Sequence, residues 1–183
     1  SNSVSVLLGN GAGSFGARAD FAAGVNPMSV AIGDVSGDGR PDLAVANGGS
    51  QSVSVFLGDG AGGFGAKTDF ALGLAPQMVS IGDVNSDGRP DLAVACGASN
   101  VVSVLLGNGV GSFSARTDFA TGSGPVAMTL GDVNGDAKFD LVASNHYDST
   151  VSVLLGNGLG GFAPKIDYAT GANPAGVSIG DMN

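Results

Sequence analysis

Glutamate and tryptophan are absent from this 183-residue chain, cysteine and histidine occur once each, and Lys and Arg together number seven. With so few cations and a formal charge of −9, the chain lacks the basic footprint that nucleic-acid binding requires. An anionic membrane surface is disfavoured for the same reason. No apolar run approaches the ~20 residues of a membrane-spanning helix, which excludes membrane insertion of that kind. A lone Cys96 allows no intrachain disulfide and no multi-cysteine zinc site. It stands in the apolar run Leu92-Ala-Val-Ala-Cys96, where other copies of the run carry Asn47 and Asn145, and reads as a buried, inert thiol. His146 has neither a second histidine nor a paired cysteine, so no Ser–His–Asp or zinc constellation can be built. It reads as a solvated loop residue, and the chain as non-enzymatic.

What is present is glycine, aspartate and short apolar clusters. Gly fills 33 positions, yet 43% of the residues are hydrophobic, which marks a turn-rich β protein and not a disordered one. All sixteen acids are aspartate, a turn former and oxygen ligand, where glutamate would favour helix. No stretch of ten or more residues keeps a 3.6 period without glycine. The class is all-β.

Self-similarity organises the chain. Val4-Ser-Val-Leu-Leu-Gly-Asn-Gly11 returns at Val53, Val102 and Val151, each time after 49 residues and without insertion. Phe15, Phe64, Phe113 and Phe162 fall in register, as do Phe21, Phe70, Phe119 and Tyr168. Four strands are expected per unit. Strand A is Val30–Ile32, with equivalents Val79–Ile81, Met128–Leu130 and Val177–Ile179. Strand B is Leu43–Ala46, Leu92–Ala95 and Leu141–Ser144. Strand C is Val53–Leu57 and its three counterparts, and strand D is Lys67–Phe70 with counterparts beginning at Arg18, Arg116 and Lys165. Four short strands in a unit of this length predict the four-stranded antiparallel blade of a β-propeller. The expected division is strands C and D of a split blade over 1–25, blades over 26–74, 75–123 and 124–172, and the first strand of a further blade over 173–183. This is an open arc of about four blades. The opening at Ser1 instead of Met reads as a mature or excised piece. An open arc exposes apolar blade faces, so the ring is expected to be completed by the rest of a longer propeller or by a homo-oligomer.

The chemistry lies between strands A and B. The loops are Asp34-Val-Ser-Gly-Asp-Gly-Arg-Pro-Asp42, Asp83-Val-Asn-Ser-Asp-Gly-Arg-Pro-Asp91 and Asp132-Val-Asn-Gly-Asp-Ala-Lys-Phe-Asp140. Ca²⁺ takes six to eight hard oxygens, several of them anionic. Positions 1, 3, 5 and 9 offer side-chain oxygens: Asp34, Ser36, Asp38 and Asp42, then Asp83, Asn85, Asp87 and Asp91, then Asp132, Asn134, Asp136 and Asp140. Position 7 (Arg40, Arg89, Lys138) offers its backbone carbonyl while its cationic side chain is expected to point away. Three aspartates within nine residues repel one another unless a cation sits among them. About three Ca²⁺ ions would bring the formal charge from −9 to about −3. An EF-hand is excluded, because Val45, Val94 and Ala143 stand where its bidentate Glu belongs and the flanks are strands. Ser36 is a poorer ligand than Asn or Asp, and Ala137 replaces the turn glycine, so the third site is expected to bind more weakly or to be strained. Asp181 and Asn183 begin a fourth loop.

The combination Asp-x-Asn-x-Asp-Gly-x-x-Asp, then Asp-Leu-Ala-Val-Ala, then Gly-Asn-Gly-x-Gly-x-Phe resembles the FG-GAP/VCBS repeats of integrin α-subunits and secreted bacterial proteins, over the whole chain. The resemblance implies a propeller, typically of seven blades. It also implies metal ligands at Asp34, Ser36, Asp38, Arg40 and Asp42 and the two matching sets. An extracellular adhesion role, bacterial by resemblance, with a protein or carbohydrate partner follows by analogy, the B–C loops being the most variable between units. Two alternatives are an accessory domain of a larger secreted enzyme and a purely structural array.

Overall fold

The computed structural model describes residues 1–181. Its strands are β1 (Ser3–Val6), β2 (Ala19–Ala22), β3 (Pro27–Gly33), β4 (Asp42–Asn47), β5 (Ser52–Phe56), β6 (Thr68–Ala71) and β7 (Met78–Gly82). There follow β8 (Asp91–Cys96), β9 (Val101–Leu105), β10 (Thr117–Ala120), β11 (Pro125–Gly131), β12 (Asp140–Asn145), β13 (Thr150–Leu154) and β14 (Ile166–Ala169). A single turn of 3₁₀ helix, Gly97–Ser99, joins β8 to β9. Sequential antiparallel pairing makes three four-stranded sheets, β3-β4-β5-β6, β7-β8-β9-β10 and β11-β12-β13-β14, with β1-β2 as a two-stranded sheet before them. The fold is all-β, built of propeller blades, and the sheets do not close on themselves.

Every second strand of a blade is buried on both faces, and its residue alternation explains how the blades stack. In β4, Leu43 and Val45 face the first, two-stranded sheet, where Val4, Val6 and Phe21 meet them. Ala44 and Ala46, on the opposite face, meet Leu92, Val94 and Cys96 of β8. The alanines of β8, Ala93 and Ala95, in turn receive Leu141 and Ala143 of β12. Each blade thus shows a bulky face to the blade before it and a small-residue face to the blade after it. A fully buried Leu or Val contributes about 1.5–3 kcal/mol, so these joints carry the stability of an array with no other core. Edge-to-face aromatic pairs reinforce each joint: Phe21–Phe64, Phe70–Phe113 and Phe119–Phe162, with centroids 5.1, 5.2 and 5.1 Å apart.

Strand A was expected to recur at Val177–Ile179, but no strand forms there. A strand needs a hydrogen-bonded neighbour, and a strand B to pair with it is not among the described residues. The side chain of Ile179 still packs over Gly131, as Ile81 packs over Gly33 and Leu130 over Gly82. Asn183, expected to take part in a fourth acidic loop, lies outside the described residues.

Candidate metal loops and the rim that carries them

Antiparallel order puts the A–B and C–D connections at one rim of the arc and the B–C and D–A connections at the other. The first rim holds the acidic loops. Within each loop the position 1 carboxylate is wrapped by the backbone that follows it. Asp34 Oδ1 accepts the amides of Gly37 (2.7 Å) and Asp38 (3.1 Å), and Oδ2 accepts Gly39 (2.8 Å). Asp83 takes Asp87 and Gly88, and Asp132 takes Asn134, Gly135, Asp136 and Ala137, in the same pattern. These bonds favour the ionised form. The Gly39 amide above all, with Gly37 and Asp38, holds Asp34 below the usual carboxylate range, and the Ala137 amide leads the same effect on Asp132.

The wrap is possible only because the chain turns left-handed at positions 4 and 6. Gly39 and Gly88 both have φ of 81°. Ala137 is forced into the same region at φ 63°, which bears out the strain expected of it.

Position 5 lies at the exposed tip, where Asp38, Asp87 and Asp136 each accept the amide two residues on, at 2.9, 2.8 and 3.0 Å. Position 3 stands beside positions 1 and 5. Ser36 Oγ donates to Asp34 Oδ1 at 3.4 Å, Asn85 Nδ2 donates to Asp87 Oδ2 at 3.0 Å, and Asn134 Oδ1 accepts the Asp136 amide at 3.0 Å. Two of the position 7 side chains do not point away as expected. Arg40 folds back to 3.8 Å from Asp38, and Lys138 to 3.1 Å from Asp136, because each meets a carboxylate two residues earlier. The Lys138 hydrogen bond is the main reason the Asp136 carboxyl is held low.

Position 9 does something different. Asp42, Asp91 and Asp140 are fully buried. Asp42 Oδ2 accepts Val35 (2.9 Å) and Ser36 (3.1 Å), while Oδ1 accepts Gly58 of the C–D turn (2.8 Å). Asp91 and Asp140 bind Val84 with Gly107, and Val133 with Gly156, in the same way. Of about four lone-pair sites on Asp42, three are engaged by backbone amides. Burial raises the Asp91 pKa, against the amides of Gly107 and Val84; the charges of Asp87 and Asp83 push it further up, which places the three carboxylates within electrostatic reach of each other.

The donor set at each tip is all oxygen, with two carboxylates and one amide or hydroxyl group, and this suits a hard divalent cation. Among the described residues, no three His, Cys, Asp or Glu side chains converge on one point. The position 9 carboxylate stays turned into the blade, and the amides it accepts leave one lone-pair site on Asp42 and two each on Asp91 and Asp140.

A second set of ordered turns on this rim was not anticipated. The Asn or Asp of each C–D turn caps it: Asp59 Oδ1 accepts Ala61 (2.7 Å) and Gly63 (3.0 Å), and Asn10, Asn108 and Asn157 repeat the motif. The signal was the acidic or amide residue fixed between two glycines in all four copies.

At the opposite rim, Gln51, Asn100 and Ser149 occupy the same left-handed position of the B–C loops, with φ of 52°, 56° and 54°. His146 stacks edge-to-face on exposed Tyr147, centroids 5.1 Å apart. Cys96 is fully buried, 3.9 Å from Ser103 Oγ, and burial pushes its thiol up to about 11. The inert reading of this cysteine stands.

The sequence matches the model of the FG-GAP-like repeat over residues 1–45, 34–94 and 83–143. A search of curated proteins matched none. Among solved structures, an N-acetylglucosamine-recognising lectin from Agrocybe aegerita is similar at 22% identity and a TM-score of 0.63, over 91% of this chain and 46% of its own. Virginiamycin B lyase from Staphylococcus aureus aligns at 13% identity, TM-score 0.58, over 83% and 45%. BBS1N, solved in complex with ARL6DN, aligns at 16%, TM-score 0.57, over 84% and 43%. At these identities the likeness is one of fold. The chain spans just under half the length of each.

Proposed function

The chain belongs to the FG-GAP-like repeat family, and from that premise we propose that it is a non-enzymatic, calcium-binding propeller module working outside the cell. The observation that carries the proposal is the threefold recurrence of one oxygen-rich loop in which the position 1 carboxylate is fixed by amides and position 5 stands at the exposed tip. A Ca²⁺ ion there would be held by Asp34, Ser36, Asp38, the Arg40 carbonyl and the remaining lone pair of Asp42. Asp83, Asn85, Asp87, Arg89 and Asp91 would form the second site, and Asp132, Asn134, Asp136, Lys138 and Asp140 the third. The ion would neutralise clustered carboxylates and pin the A–B hairpin. Affinities of roughly 10⁻⁴–10⁻³ M suffice at extracellular calcium levels. Isothermal calorimetry with calcium is the test, and the absence of any binding heat at millimolar metal would refute it.

The B–C loops, on the rim away from the acidic loops, are the surface we assign to a protein or carbohydrate partner in adhesion. Sequence differs most between units there, and Tyr147 beside His146 offers an exposed aromatic face. Carbohydrate is the class to test first, given the fold shared with a sugar-recognising lectin, an argument by analogy. A glycan array with wild type and Tyr147→Ala decides it: equal binding by both would clear that loop. A purely structural role predicts no glycan or protein ligand at all, and an accessory role beside a catalytic domain predicts a catalytic motif elsewhere in the full reading frame.

A further inference from the structure

The three acidic loops are tied to one another through the C–D turns that lie between them. Val35, at position 2 of the first loop, is buried, and its carbonyl accepts the amide of Gly111, in the C–D turn of the following blade, at 3.1 Å. The second loop holds the same turn from the other side: Asp91 Oδ1 accepts the Gly107 amide at 2.7 Å. Asp91 Oδ2 accepts the Val84 amide at 2.9 Å, and the buried Val84 accepts Gly160 of the next C–D turn on its carbonyl at 3.2 Å. That turn donates in its turn from Gly156 to Asp140 Oδ1, at 2.8 Å, while Asp140 Oδ2 accepts Val133 of the third loop at 2.9 Å. One hydrogen-bonded line therefore runs loop, turn, loop, turn, loop along the rim.

The turns are built to carry it. Asn108 Oδ1 takes the amides of Val110 and Ser112, at 3.0 and 3.1 Å, which leaves the Gly111 amide between them for the first loop. Asn157 takes Leu159 and Gly161 and leaves Gly160 for the second loop. Packing is close at the same places. A Cβ on Gly37 would lie 3.2 Å from the Gly109 carbonyl oxygen, and one on Gly160 would lie 3.6 Å from Cβ of Asn85, a candidate ligand.

We propose that calcium binds these loops cooperatively, each occupied loop raising the affinity of its neighbour through the turn they share. The inference rests on the calcium reading of the loops. An occupied loop orders the turn against it, and the loop on the far side of that turn then loses less conformational entropy when it binds. Repulsion between bound cations acts in the opposite sense, so the sign of the effect identifies its cause. Coupling is between nearest neighbours, since the first and third loops are joined only through the second.

The test follows calcium-dependent protection of single amides by NMR hydrogen exchange, with calorimetry alongside, on the 183-residue chain. The Gly111 amide reports the first loop and the Gly160 amide the second. Asp87→Ala and Asp136→Ala each remove one exposed tip carboxylate, from the second and the third loop. In Asp87→Ala, calcium should still protect Gly111 but no longer Gly160, and the midpoint at Gly111 should rise about fivefold over wild type. In Asp136→Ala the first two loops remain neighbours, and the Gly111 midpoint should stay where it is in wild type. Equal Gly111 midpoints in the two variants, or a lower one in Asp87→Ala, overturn the coupling and leave the calcium reading standing. Binding heat without protection of either glycine does the same, whereas no binding heat at millimolar calcium overturns both. Asp87→Asn and Asp136→Asn, which remove the charge and keep the shape, are the second pair should alanine disturb folding.

Discussion

The Gly58 amide donates to Asp42 Oδ1 at 2.8 Å, and this bond ties the A–B loop of a blade to its own C–D turn. The approach is so close that a Cβ on Gly58 would lie 2.1 Å from the Pro41 carbonyl oxygen. Gly107 and Gly156 stand in the same relation to Pro90 and Phe139.

Gly58→Ala must therefore push the turn away and orphan a buried carboxylate. The expected loss is about 3–5 kcal/mol in guanidinium unfolding, against about 0.5 kcal/mol or less for Gly171→Ala, which has open space around it. Similar losses from the two changes would show that the turn is not held by this contact.

Calcium should raise the melting temperature and a chelator should lower it. At ten times Kd each occupied loop adds about 1.4 kcal/mol. Asp87→Ala removes the exposed carboxylate of the second loop, so calorimetry should count one site fewer than in wild type. An unchanged stoichiometry would remove Asp87 from the ligand set.

Ala137 carries a left-handed backbone that its two counterparts meet with glycine. Ala137→Gly should stabilise the protein by about 0.5–1 kcal/mol, where Gly39→Ala should destabilise it by a like amount. Chemical denaturation of both variants checks the pair of signs; a loss in the first would mean the strain is absorbed elsewhere.

A thiol raised to about 11 holds roughly one part in a thousand as thiolate at pH 8, and Cys96 is also shielded by the blade at its back. In native buffer it should ignore an aromatic disulfide reagent for hours, then react at once in denaturant. Raising the pH toward 11 should speed labelling only as far as the blade opens. Rapid labelling of the native protein at pH 8 would contradict the burial.

Much of this architecture is legible in the sequence because it repeats. A 49-residue step with no insertion gives the positions of the strands that form within three residues, and the Leu-Ala-Val-Ala alternation already encodes which blade face is bulky. Position 9 was harder to read. Asp42 looks like one more loop ligand by spacing, but its inward turn depends on Val35, Ser36 and Gly58 amides brought together by folding. The strand expected at 177–179 fails for a different reason. Its residues have the right pattern, but pairing is a property of two segments, and only one of them is among the described residues. The Asx caps at Asp59, Asn108 and Asn157 were visible as a repeated letter but not as a function, since glycine on either side suggested freedom where the cap imposes order.

Because A–B loops share one rim and B–C loops the other, the nine loop aspartates all lie on the same side of the arc. The molecule is therefore electrically lopsided. Near an anionic polymer or envelope it should orient like a compass needle, acidic rim outward, and offer the rim of Tyr147 to whatever lies beneath. Added divalent metal would weaken that orientation by discharging the outward side.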